Sequence, residues 1–312
     1  MRVVGFTSFG DPSVLAVVDE PLPQPGEGQV RIRVEAATVN PADVAARSGA
    51  FGPMLPAGPR YVLGWDVAGW VDAVGPATPG FAPGDNVVGM SDWLTTKRGT
   101  HAEFVVLDAA AVASAPAGVD PAEAATLPVN ALTADQALDL LGLTEGQTVA
   151  VTGAAGAVGG YTVELARHRG LNVIGIGSPQ DETFISRLGA TFLPRSDDPA
   201  RALRAIMPEG VDGLLDAAVI GPPALAAVRD GGTFVSVMPP ATPPAERGIR
   251  VETVFVRSDG ARLSELVTLV EQGRLTLRLA QTFTFDQAAQ AHELFAKGGL
   301  RGRLVLTPRD RP

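Results

Sequence analysis

The sequence predicts an α/β protein in which a doubly wound parallel sheet is joined to a barrel-like β domain. Three observations carry that expectation. Residues 148–168 run from an apolar, β-branched strand pattern (Val149, Val151) through Gly153, Gly156 and Gly159 into a helical face of Val163, Leu165 and Ala166. From residue 148 onward strand-like and helix-like segments alternate, as in a parallel sheet covered by helices. Before residue 115 the chain is mostly strand-like, punctuated by Gly and Pro.

In chain order, residues 2–6 and 15–19 read as a hairpin around the turn at 10–13. Residues 21–28 form a Pro- and Gly-rich connection, and 29–36 alternate apolar and charged side chains as a half-buried strand does. Asn40 is suited to cap a short helix, with Pro41 at its first position. A proline–glycine loop spans 51–60, and strands follow over 64–75, 84–89 and 99–107. The character changes near Asp120, with helices expected over 121–127 and 131–141. Beyond the glycine motif the pattern gives a strand at 172–177, helices at 184–188 and 201–207, and a strand at 213–218. A helix at 223–229 and a strand at 232–237 follow, then a last strand over 249–256 and a helix over 263–271. A strand at 282–285, a helix at 287–297 and a strand at 304–306 return to the first domain. The expected division is 1–119 with 258–312 for the barrel-like domain and 120–257 for the parallel sheet.

Composition bounds the function. A length of 312 residues leaves room for two domains, and 46% hydrophobic residues supply a sizeable core. A net charge of −9 without a basic run argues against nucleic acid as a partner. No stretch approaches the ~20 apolar residues of a membrane span, and the first residues lack the apolar region of a signal peptide, so a cytoplasmic location is expected. The absence of cysteine excludes disulfides, thiol chemistry and cysteine zinc sites. His101, His168 and His292 are too dispersed to suggest a metal site.

The glycine stretch points to a dinucleotide. Gly153 permits a tight turn, Gly156 lets the backbone approach a pyrophosphate, and Gly159 lets the helix pack close to the strand. Free N–H groups at the helix start favour phosphate. The end of the next strand, where an NAD site carries an acidic ribose reader, holds Gly177 and Ser178. A missing carboxylate removes repulsion against a 2′-phosphate and Ser178 can donate to one, so NADPH is expected over NADH. Arg187 and Arg195 are candidate phosphate partners or solvated surface arginines.

Several short motifs carry a resemblance over nearly the whole chain: 35–43 with Asn40-Pro41, Gly64-Trp65-Asp66-Val67-Ala68-Gly69, Gly84-Asp85-Asn86-Val87-Val88, 127–134, 151–159, Leu188-Gly189-Ala190 and 299–306. In combination and order they resemble the zinc-independent quinone oxidoreductase branch of the medium-chain dehydrogenase/reductase superfamily. The resemblance implies a GroES-like first domain, a Rossmann second domain and a cleft between them. Asn40 and Trp65 stand where zinc-dependent relatives place ligands, so no catalytic metal is expected. It implies transfer of a hydride from NADPH to a quinone or a related conjugated carbonyl, an enone or enoyl substrate being the alternative. A cofactor-binding protein without turnover is a third reading.

The resemblance also places Asn40 and Thr133 beside cofactor and substrate. Asn40 would meet the nicotinamide ribose or a substrate oxygen, and its capping role is compatible with either. Phe51, Tyr61 and Trp65 are candidates for an aromatic-accepting pocket or for ordinary core. Phe51 replaces a tyrosine found in many relatives. Tyr61 and Asp66 are weak proton-donor candidates, with water as the alternative. Ala155, Gly156, Ala157 and Val158 are implicated at the pyrophosphate; Ala217 and Val219 on the adenosine–nicotinamide side; Val237 and Met238 behind the nicotinamide; Val256 and Arg303 at the edge of the site. The apolar segment 251–256 is expected to pair with its symmetry mate in a homodimer, or else to be an internal strand.

Overall fold

The computed structural model describes residues 1–52, 55 and 58–309. The chain divides into two units: residues 1–129 with 257–273 and 277–312, and residues 130–256 with 274–276. The first holds a seven-stranded and a three-stranded sheet, the second a six-stranded one. Part of the proline–glycine loop at 51–60, residues 53, 54, 56 and 57, lies outside the described residues.

The first unit begins with β1 (Arg2–Phe6) and β2 (Ala16–Asp19), an antiparallel pair. β3 (Gln29–Val39) runs three residues further than its alternation shows, because Ala37, Thr38 and Val39 are buried on both faces. It leads into α1 (Pro41–Ser48), which stops at Gly49 in the left-handed region (φ 85°). β4 (Tyr61–Val62), β5 (Asp66–Val74), β6 (Asn86–Met90), the short α2 (Trp93–Thr96), β7 (Phe104–Asp108), β8 (Val112–Ser114) and α3 (Pro121–Ala124) follow. β4 joins β1, and β3 pairs antiparallel with both β5 and β7. Val30, Ile32, Val34, Val67, Val71, Val87 and Val105 fill the core between these strands.

α4 (Pro128–Leu141) leads into the second unit, where strands and helices alternate: β9 (Thr148–Thr152), α5 (Ala157–His168), β10 (Asn172–Gly177), α6 (Glu182–Arg187), β11 (Thr191–Pro194), α7 (Pro199–Ile206), β12 (Val211–Asp216), α8 (Pro222–Leu225), β13 (Val228–Ser236) and β14 (Arg250–Thr253). The sheet order is β11-β10-β9-β12-β13-β14, every pair parallel. The order reverses between β9 and β12, and the carboxyl ends of those two strands form the switch point where such sheets bind ligands. The chain then returns to the first unit with α9 (Gly260–Glu271), β15 (Leu279–Thr284), α10 (Ala288–Ala296) and β16 (Arg303–Thr307), which pairs with β3.

The doubly wound sheet and the separate β unit agree with the sequence. Differences are local. The helix expected over 223–229 ends at Leu225, because the β-branched Val228 pairs with Val211 and opens β13. The strand expected over 249–256 is confined to Arg250–Thr253 and lies at the sheet edge. Residues 120–129 fall in the first unit, where α3 packs on β3 and β5. Residues 274–276 fall in the second, tied to α5 by the Thr276 amide donating to Glu164 (3.3 Å).

Candidate active site

The second unit carries a glycine turn at its switch point. β9 ends at Thr152, and Gly153 turns the chain with φ 61°. Gly156 caps α5 in an extended conformation. A Cβ on Gly159 would lie 2.2 Å from the Gly153 carbonyl oxygen, so only glycine lets α5 approach the turn this closely. Ala155 and Ala157 are buried, and Gly156 and Val158 are half-buried. The first N–H groups of α5 have no acceptor within the helix. Across the switch point the Thr152 hydroxyl donates to Asp216 Oδ1 (2.6 Å) and accepts from the Ala218 amide (2.9 Å). Asp216 Oδ2 accepts from the Gly221 amide (2.7 Å). These bonds hold the 217–221 loop, in which exposed Val219 has φ 60°, a strained conformation for a β-branched residue.

At the end of β10, a Cβ on Gly177 would meet Ile185 Cδ1 at 2.4 Å. Ser178 is buried and, among the described residues, its hydroxyl has no hydrogen-bond partner. Buried hydroxyls are seldom left so, and an incoming polar ligand atom would satisfy this one. The Arg195 amide donates to the Gly177 carbonyl (2.7 Å), which brings Arg195 beside Ser178, with its side chain exposed. Arg187, on α6, is also exposed. Val237 and Met238 follow β13 half-buried, and the Ser236 hydroxyl bonds the Met238 carbonyl (3.0 Å). Half-buried Ala217 and Val256 and buried Thr133 on α4 complete the expected set in this unit. A glycine turn, open helix N–H groups and an orphaned hydroxyl fit a phosphorylated dinucleotide.

In the first unit Asn40 sits in a buried polar network. Its Nδ2 donates to Asp66 Oδ2 and to Thr38 Oγ1, both at 2.8 Å. The Thr38 hydroxyl also donates to Asp66 Oδ2, and the Val129 amide donates to Asp66 Oδ1 (2.5 Å). Asp43 accepts from the Asn40 and Gly64 amides, each at 2.8 Å. Burial raises Asp43 to about 7 and Asp66 to about 6, opposed by these hydrogen bonds and by the charge of Arg303. Arg303 opens β16, is itself buried, and lies 6.0 Å over the Phe295 ring. His101 is buried, with Nε2 2.8 Å from the Thr38 carbonyl oxygen; burial lowers its pKa to about 4. It is therefore neutral and donates from Nε2.

The aromatic candidates are largely engaged with the protein itself. Tyr61 is buried and stacks on Phe6 (5.2 Å between centroids). Trp65 is buried against Trp93 (6.1 Å), although its Nε1 has no partner among the described residues. Phe51 is half-buried after α1. Asp66, a candidate acid in the sequence, has both oxygens occupied by donors and acts as a hub of hydrogen bonds. The sequence reading missed Thr38, Asp43, His101 and Thr152; isolated polar residues at the ends of apolar segments were the available signal. Among the described residues no group of three or more His, Cys, Asp or Glu is placed to hold a metal ion, and no helix is long and apolar enough to cross a membrane.

Comparison with known proteins agrees with this geometry. Residues 26–117 match the family model for the alcohol dehydrogenase GroES-like domain, and residues 188–306 match the model described as zinc-binding dehydrogenase. A quinone oxidoreductase of Lama guanicoe is 30% identical, over 98% of this chain and 97% of its own. A chloroplastic NADPH-dependent alkenal/one oxidoreductase of Arabidopsis thaliana is 28% identical, over 99% of this chain and 80% of its own. The crystal structure of an NAD-dependent alcohol dehydrogenase superposes with a TM-score of 0.86 at 31% identity, over 99% of this chain and 100% of that one. The chain belongs to the medium-chain dehydrogenase/reductase superfamily of oxidoreductases, in its quinone oxidoreductase branch.

Proposed function

We propose that the protein is an NADPH-dependent reductase of quinones or related conjugated carbonyl compounds. The observation that carries the cofactor is Ser178: a buried hydroxyl without a partner among the described residues, at the end of a strand that lacks an acidic residue. A 2′-phosphate would accept its proton, and a carboxylate there would repel one. The likeness to an NADPH-dependent alkenal/one oxidoreductase supports this choice, and that to an NAD-dependent dehydrogenase opposes it.

The bound nicotinamide would supply the hydride. The protein's part is to hold and orient. Gly153, Ala155, Gly156, Ala157 and Val158 would receive the pyrophosphate, with Gly177, Ser178 and Arg195 on the adenosine phosphate side. Ala217, Val219, Val237, Met238 and Val256 would frame the nucleotide. Asn40 and Thr133 would serve the reacting end and Arg303 would close the site, with Phe51, Tyr61 and Trp65 near the acceptor. His101 is neutral and committed to the Thr38 carbonyl, so water is the proton source in this reading. A quinone suits that arrangement, because aromatisation favours charge on its oxygen. An enone reductase is the second reading, favoured by the alkenal/one likeness. β14, at the sheet edge, supports pairing with a second copy in a homodimer.

The test is oxidation of NADPH and NADH by the purified protein against quinones and α,β-unsaturated ketones, without added metal. Quinone turnover with NADPH is expected. Turnover confined to enones selects the second reading, and preference for NADH refutes the role of Ser178.

A further inference from the structure

Backbone strain in the second unit falls at its switch point. Four non-glycine residues have positive φ among the described residues, and of these Val219 alone is β-branched (φ 60°). Val219 is 42% exposed, so burial returns little for that conformation. What holds it is a clamp built on the ends of two paired strands. Thr152 of β9 and Asp216 of β12 are register partners, and both are 0% exposed. A hydroxyl has one proton to give. Thr152 gives its proton to Asp216 Oδ1 (2.6 Å), which leaves a lone pair for the Ala218 amide (2.9 Å). Asp216 Oδ2 accepts from the Gly221 amide (2.7 Å). The backbone is thus pinned at 218 and at 221, on either side of Val219. Releasing it would leave the buried Asp216 carboxylate short of partners, so the strain persists.

The loop shares its crevice with the glycine turn. A Cβ on Gly153 would lie 3.3 Å from the Cβ of Ala218, and both segments follow strands whose carboxyl ends flank the switch point. We propose that Thr152 and Asp216 are positioning residues: they hold Val219 in its left-handed conformation, so that its exposed side chain presents an apolar wall to the bound nucleotide. The inference rests on the reading that this crevice binds NADPH or NADH, and it adds what sets the place of the wall.

The substitutions Thr152→Val and Val219→Gly, singly and together, test it in titrations of the full chain followed by nicotinamide fluorescence. Val219→Gly removes the side chain and the strain at once, since φ 60° is ordinary for glycine. Affinity is expected to weaken about fivefold, the scale of half-burying a valine. NADPH and NADH should lose alike, because they differ only in the 2′-phosphate. The melting temperature is expected to stay level or rise by about 2 °C. Thr152→Val keeps the shape and removes the hydroxyl, which leaves the Ala218 amide and Asp216 Oδ1 without that partner. Its affinity loss is expected to be about fivefold alone and less than about twofold in the Val219→Gly background, the coupling of residues that act through one another. Thr152→Ser keeps the hydroxyl and is expected to retain the native affinity. An equal loss from Thr152→Val in both backgrounds overturns the inference, because general damage to the fold does not depend on Val219. Unchanged affinity in Val219→Gly, or a melting temperature several degrees lower there, also overturns it. Those outcomes leave nucleotide binding by the native protein intact. A native protein that binds neither nucleotide refutes the cofactor reading itself, and the inference with it.

Discussion

Replacing Ser178 by alanine should move cofactor affinity and thermal stability in different directions. The hydroxyl is buried and donates to none of the described residues, so its removal strands no partner among them. An unsatisfied buried polar group costs about 1–3 kcal/mol, and exchange for an apolar group of similar shape is neutral or stabilising. For a chain of this size about 1 kcal/mol corresponds to roughly 2–4 °C, so the melting temperature should stay level or rise by a few degrees. With NADPH bound, the same hydroxyl would bond a charged phosphate, worth about 1.5–3 kcal/mol, or roughly 10- to 150-fold in affinity. NADH lacks that phosphate and should bind both forms alike. Parallel fluorescence titrations with the two nucleotides, together with thermal melts of the free protein, measure all three quantities. An unchanged NADPH-to-NADH affinity ratio would refute the assignment. A fall of several degrees in the melting temperature would show that the hydroxyl has a structural partner.

Two other perturbations follow from the described geometry. Gly159→Ala places a methyl 2.2 Å from the Gly153 oxygen, and the atoms it meets are backbone of Gly153 and Ala154, which prevents easy relief. Alanine's helix propensity returns only about 1 kcal/mol, so a lower melting temperature and NADPH affinity weakened more than tenfold are expected; parental values for both would contradict the close approach. Four buried groups predict an unusual pH profile. Asp43 and Asp66, raised to about 7 and about 6, contribute stability that is complete below pH ~4 and is lost as pH rises through those values. His101 and His292, lowered to about 4 and about 3, contribute stability present above pH ~6.5 and lost as pH falls toward those values. Each group changes stability by up to about 1.4 kcal/mol per pH unit, and the two pairs oppose each other. The melting temperature should therefore vary little between pH 4.5 and 6, and a steep slope in either direction there would show that one pair is wrongly described.

The sequence made the parallel sheet legible because its strands are continuous apolar runs separated by amphipathic helices, and because Gly153, Gly156 and Gly159 mark a turn that few other residues permit. Elements set by pairing partners were harder to read. β11 is a short edge strand of mostly exposed or half-buried residues ending in Pro194, with no strong period. Val228 looked like the end of a helix until its pairing with Val211 made it the start of a strand. In the candidate site, Asn40 was visible as a cap and Ser178 as the residue at a strand end. The bonds that give Asn40 its orientation come from Thr38, close in sequence, and Asp66, far away on another strand. Nothing in local pattern pairs a lone Asp on β5 with a lone Asn before α1. The missing partner of Ser178 is likewise a property of burial, which only the fold determines.

The pairing of β16 with β3 gives the chain an order of events during synthesis. β3 lies within the first 39 residues, yet residues 37–39 find their neighbours only at 304–306. By the time residue 256 has left the ribosome, every strand of the six-stranded parallel sheet is available, whereas the edge of β3 must wait for β16. At roughly 5–20 residues per second that wait lasts several seconds. The parallel sheet can therefore form while residues 37–39 of β3 still lack their neighbours in the first unit, and that interval is when a nascent chain has most need of a chaperone.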